Sequence, residues 1–133
     1  IIRSDGSISP IRTLSTVDGF EATVAKKTLL YAYFGGLWIG KNAALDANGT
    51  TKIGYGFLGS SNSNNHIERE YTFGINQTIW KDAKYGAINV MGQYEYLTRN
   101  PWYIALGALD HASDSTIYFN VRYTLPGGVP AMK

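Results

Sequence analysis

The chain has no cysteine, which excludes a disulfide scaffold and thiol-ligated metals. That absence fits an oxidising envelope compartment and a cytosolic one equally. No run reaches the roughly 18–20 apolar residues that a membrane helix needs. The longest candidate, TLLYAYFGGLWIG at 28–40, is short and carries two adjacent glycines, so the sequence argues against a membrane helix. A membrane barrel is untouched by this test, because its strands show only alternation. An excess of one charge is also lacking: 12 basic residues stand against 10 acidic ones, a net charge of +2, and no pull toward nucleic acid follows. GYGFLG at 54–59 spells a phosphate-loop pattern but lies in a polar loop followed by SSNSNN, with no helix after it. The chain opens on Ile1-Ile2-Arg3, without an initiator methionine or a signal peptide. Processing, or descent from a longer chain, is the expectation.

What is present points to strands. Tyr 10, Phe 5, Trp 3 and Gly 15 in 133 residues favour strands and turns over helix interiors. Near the end, Ile117, Phe119, Val121, Tyr123 and Leu125 alternate with Thr116, Tyr118, Asn120, Arg122 and Thr124. That is strict period-2 alternation, one apolar face and one polar face. Similar patterns predict strands over 17–25, 67–80 and 87–98; 28–39 reads as a strand whose two faces are hard to tell apart, and a short strand is expected near 52–58. Residues 1–16 read as a polar arm or loop, 17–125 as the strand-forming segment, and 126–133 as a C-terminal tail. Connections alternate short and long, with turns at 26–27 and 81–86 and long loops at 40–66 and 99–114. The expected fold is all-β, an antiparallel up-and-down meander of about 5–6 strands.

Pairing 67–80 with 87–98 so that the apolar faces align sets Ile79 opposite Ile88, Phe73 opposite Tyr94 and Tyr71 opposite Tyr96. The opposite face then carries Glu68, Glu70, Thr72 and Asn76, with Asn89, Gln93 and Glu95. Tyr118, Asn120 and Arg122 form the polar face of the closing strand. Aromatics gather toward strand ends: Trp38, Tyr71, Tyr94 and Tyr96 near the long loops, Trp80 and Tyr123 near the short turns. Interfacial girdles of membrane barrels occupy such places.

Site chemistry is sparse. His66, Glu68 and Glu70 share one strand face and could ligate a divalent cation if another element, such as Asp110, His111 and Asp114, added ligands. The competing reading is a charged ring at a wet pore mouth. Ser115, His111 and Asp114 contain the residue types of a hydrolytic triad but crowd into one loop without a nucleophile elbow. Asp46 and Asn48 hint at a calcium turn, although an Asn-Gly turn accounts for them. No catalytic residue and no cofactor is expected.

The stretches LLYAYFGG, ALDANGTTKIGYGFLGSSNSNN, TFGINQTIWKDAKYGA, MGQYEYLTRNPWY and IYFNVRYTLPG occur in this order between Thr28 and Gly127. Together they resemble the C-terminal part of a Gram-negative porin-like outer-membrane protein. The resemblance implies a many-stranded transmembrane β-barrel, a water-filled lumen lined by the polar face above, and passive diffusion of small solutes. Outer-membrane lipid and small solutes are then the partners, and no nucleic acid is. Transmembrane barrels need about eight strands or more, so further strands are expected from a longer parent chain or from identical subunits. The alternative is a soluble β-sandwich or small-barrel binding module, periplasmic or secreted. Its long loops, with the aromatics of Asn100–Tyr103, would bind a carbohydrate or another small ligand.

Overall fold

Aromatic and β-branched residues at alternate positions favour pleated backbone, and the chain forms seven strands. They are β1 (Thr13–Ala25), β2 (Thr28–Ile39), β3 (Asn42–Leu45), β4 (Lys52–Tyr55), β5 (Asn65–Asp82), β6 (Gly86–Pro101) and β7 (Ala112–Thr124). This is a computed structural model, and it describes residues 1–127. The tail expected over 126–133 lies, from residue 128 on, outside the described residues.

Five strands form one antiparallel sheet in the order β1-β2-β5-β6-β7, and β3 pairs with β4 in a separate hairpin. The expected all-β meander is therefore the observed fold. The sheet is not closed into a barrel; β1 and β7 each have one neighbour in it. Register between β5 and β6 is visible in a side-chain bond. Thr78 Oγ1 donates to Asn89 Oδ1 at 2.7 Å, the pair next to Ile79 and Ile88 in the expected alignment.

Strands extend beyond their apolar stretches. β1 begins at Thr13, inside the stretch read as an arm, and β6 and β7 claim 99–101 and 112–114 from the expected loop. Ladder hydrogen bonds join backbone groups, so polar side chains do not stop a strand that already has a paired neighbour. Asn100 Nδ2 donates to the Asp110 carbonyl at 3.2 Å beyond the polarity change. Ahead of β1, Ile2 bridges Ile8 around a turn in which the Asp5 carboxylate accepts the Ser7 N–H at 2.9 Å.

The chain divides into two compact units. The long-loop unit comprises Ile1–Val17, Gly35–Glu70 and Leu97–Asp114. The short-turn unit comprises Asp18–Phe34, Tyr71–Tyr96 and, among the described residues, 115–127. In the short-turn unit the β5–β6 connection is an Asp82 turn. The Asp82 carboxylate accepts the N–H groups of Lys84 and Tyr85 at 2.7 and 3.1 Å. Gly86 follows with φ +101°, a left-handed conformation that costs a side-chain-bearing residue dearly. A Cβ there would also collide with the Thr124 carbonyl oxygen, which is backbone and cannot turn aside.

Gly59, with φ +90° and open space around it, isolates the conformational cost from the collision. Gly86→Ala is expected to destabilise the fold by about 2–4 kcal/mol, and Gly59→Ala by about 1–2 kcal/mol. Urea unfolding midpoints of the two variants, measured side by side, check the difference.

Candidate functional site

In the short-turn unit β5 alternates in exposure from Tyr71 to Asn76. Its odd positions Tyr71, Phe73, Ile75 and Ile79 are exposed, Phe73 at 55%. On the other row Thr72 is 5% exposed and Asn76 and Thr78 are half-buried, whereas Trp80 near the strand's end is exposed. β5 lies between β2 and β6, so the contrast is not that of an edge strand. Tyr31 lies across Gly74, where any Cβ would collide with its ring, and its hydroxyl donates to Gln93 Oε1 at 2.9 Å. Glycine here lets a neighbouring tyrosine span two strands. On the same face are the Thr78–Asn89 bond and the buried Asn76 Oδ1, which has no hydrogen-bond partner.

The residues expected on the polar face divide into three groups. Thr72, Asn76, Asn89, Gln93 and Glu95 lie on β5 and β6, buried or half-buried. Tyr118, Asn120 and Arg122 lie on the edge strand β7 and are exposed. Glu68 and Glu70 belong to the long-loop unit, where Glu68 is half-buried and accepts a bond from Asn65 Nδ2. Among the expected girdle residues, Trp38, Tyr71, Trp80, Tyr94 and Tyr123 are exposed and Tyr96 is half-buried. Alternation along β5 places Trp80 on the row of Thr72 and Thr78, not on the apolar row. Tyr71, Tyr94 and Tyr96 share the short-turn unit with Trp80 and Tyr123; Trp38 lies in the other.

The metal reading of His66, Glu68 and Glu70 is corrected by the geometry. Among the described residues no group of three or more His, Asp or Glu side chains could hold a metal ion. His66 Nε2 instead accepts the indole N–H of Trp38 at 3.1 Å, which occupies the lone pair a metal would take. The loop groups are engaged elsewhere: His111 Nδ1 meets Asp110 Oδ1 at 2.7 Å, and Ser115 Oγ lies 3.2 Å from the Tyr94 hydroxyl. The His111 ring beside Asp110 holds that carboxyl below the usual carboxylate range. Asp46 and Asn48 accept backbone N–H groups of Ala47, Thr50 and Thr51, as an Asn-Gly turn between β3 and β4 requires.

The long-loop unit contains a stack that no local motif announces. His66 lies face to face with Trp102, centroids 3.6 Å apart and planes 26° from parallel. Lys41 Nζ sits 4.3 Å from the Trp102 ring centroid, within cation–π range. The Trp102 indole N–H donates to the Ile39 carbonyl at 2.8 Å, and its backbone N–H to the Asn64 carbonyl at 2.9 Å. Gly56 comes so close that a Cβ would meet the indole at 2.7 Å. Tyr55, whose hydroxyl burial pushes to a higher pKa, donates to the Asn65 carbonyl at 2.8 Å. Trp102 thus fastens the β3–β4 region, the start of β5 and the end of β6. Its faces are engaged, which removes it as a free platform for a sugar ring.

No protein-family model, curated protein or solved structure matches the chain. What the fold defines is a class: an all-β chain built on a five-stranded antiparallel sheet, with an exposed apolar row along its β5 strand.

Trp102→Phe keeps a ring on His66 but loses the bond to Ile39, an expected loss of about 1 kcal/mol. Trp102→Ala also forfeits the stack and its buried area, an expected loss of about 3 kcal/mol. Thermal unfolding of both variants checks the order and the gap.

Proposed function

We propose that the chain is a segment of a porin-like outer-membrane β-barrel through which small solutes diffuse passively. The carrying observation is the reversed amphipathicity of β5 over 71–79: Tyr71, Phe73, Ile75 and Ile79 are exposed, whereas Thr72, Asn76 and Thr78 are buried or half-buried and Thr78 bonds Asn89. In water, uncovering a Phe or Ile side chain forgoes about 1.5–3 kcal/mol. A bilayer removes that cost, and in a barrel the polar row turns to the interior, where Thr78 and Asn89 bond each other.

Strand and loop lengths support the same reading. β2, β5, β6 and β7 have 12, 18, 16 and 13 residues, enough for the ~9–11 that cross a bilayer at a tilt. Turns at 26–27 and 83–85 are short, whereas the connections from β2 to β5 and from β6 to β7 are long. Two open sheet edges suit a segment whose neighbours complete the barrel. The soluble alternative needs the apolar rows closed into a core, yet among the described residues Ala87 is the buried hydrophobic side chain, at 7% exposure.

Fractionation of cells expressing the natural parent protein should place it in the detergent-extractable outer membrane, and its liposomes should conduct ions. Recovery as a detergent-free soluble monomer, with silent liposomes, ends the proposal. On β7 the two rows should respond oppositely to a charge. Phe119→Arg on the apolar row should impair insertion, by about 2–4 kcal/mol at mid-bilayer depth. Asn120→Arg should insert normally and shift ion preference toward anions, read as a reversal potential across a salt gradient.

A further inference from the structure

In the long-loop unit a cleft of ≈ 420 Å³ has Ser9, Arg12, Trp38, Lys41 and Asn42 in its lining. Two cations line it and no carboxylate does. Neither Arg12 nor Lys41 forms an ion pair among the described residues. Arg12 is exposed, and the residue facing it across the ladder is a glycine: the Gly40 N–H donates to the Arg12 carbonyl at 2.8 Å. Lys41 Nζ lies 4.3 Å from the Trp102 ring centroid, a contact that steadies the ammonium without neutralising it. The wall is tied down from within. Asn42 Nδ2 donates to the Ser9 and Pro10 carbonyls at 3.1 and 2.7 Å and to Ser9 Oγ at 2.8 Å.

Hydrocarbon follows charge along the same row. The Arg12–Gly40 pair sets the register of β1 on β2, and Tyr33 lying against Gly19 further along keeps it. Leu14 and Trp38 therefore face each other one step inward, on the row of Arg12. Both are exposed. The Trp38 indole N–H is committed to His66 at 3.1 Å, which leaves its ring as apolar surface.

We propose that this cleft seats the phosphate-monoester headgroup of a membrane lipid, with Arg12 and Lys41 on the phosphate and Leu14 and Trp38 against the start of its acyl chains. The site rests on the membrane reading above and names a lipid for it. A phosphate monoester carries about −1.5 to −2 charge near neutral pH, which two cations without a carboxylate match. The guanidinium fork suits two phosphate oxygens at once. Tryptophan at headgroup level is where aromatic belts lie. Free phosphate would use the cations but leave Leu14 and Trp38 bare, and a zwitterionic headgroup would bring its own cation into the cleft.

Tryptophan quenching by lipids brominated on their acyl chains tests the assignment, with the full chain in neutral detergent micelles. Brominated phosphatidic acid should reach half-quenching at a mole fraction about twentyfold lower than brominated phosphatidylcholine, about fivefold for each cation. Trp38→Phe should abolish this excess quenching. The paired variant Arg12→Gln with Lys41→Gln should make the two lipids equivalent. Lys81→Gln with Lys84→Gln, which removes the same charge from the short-turn unit, should leave the preference intact. Equal quenching by both lipids in the wild type overturns the headgroup site while leaving lipid contact itself in place. So does a preference that survives loss of Arg12 and Lys41, an equal loss in the control pair, or displacement of the lipid by equimolar inorganic phosphate. Quenching by neither lipid overturns the site and the membrane reading together. If the paired variant fails to fold, Arg12→Gln alone decides, with a loss of about fivefold expected.

Discussion

The antiparallel backbone ladder is the constraint on which the rest depends. Once neighbouring strands exchange N–H···O=C bonds, successive side chains must point to opposite faces. Row membership is then fixed for whole strands at once, and a one-residue slip would exchange every row. The Thr78–Asn89 bond and the Tyr31–Gln93 bond each join strands through side chains on one face. Polar residues meet polar residues there because the ladder leaves them no other partner.

Magnitudes decide what such a sheet needs. A side-chain hydrogen bond contributes roughly 0.5–1.5 kcal/mol net, less than the 1.5–3 kcal/mol forgone by each exposed Phe or Ile. Bonds such as Tyr31–Gln93 therefore cannot offset the open row of Phe73, Ile75 and Ile79. Stability has to come from whatever covers that row. The proposed membrane reading supplies hydrocarbon as the cover.

The long-loop unit is organised on different physics. Outside the ladder, position is set by a few large side chains and by irregular backbone. Trp102 binds two carbonyl-bearing segments by N–H donation, at Ile39 and Asn64, and stacks on His66 of the second. His66, a candidate ligand by composition, becomes a stacking partner because Trp38 donates to its free nitrogen. A chemically versatile residue is thereby given a structural task.

The sequence by itself determined the five long strands, their order and the sorting of residues into two rows, because a period of two is a local property. The pairing of β5 with β6 was legible for that reason, whereas β2 over 28–39 was legible as a strand but not in which of its faces is which. Local polarity misjudged strand ends: Thr13 and Arg99 lie in strands because a paired neighbour, not their own composition, extends them. Tertiary structure alone decided which row is covered, since alternation is blind to what lies above a face. It also decided β3, the union of His66 with Trp102 and the cleft beside Arg12 and Trp38. Those contacts join residues distant in the chain through glycine turns and aromatic packing, which leave no periodic trace.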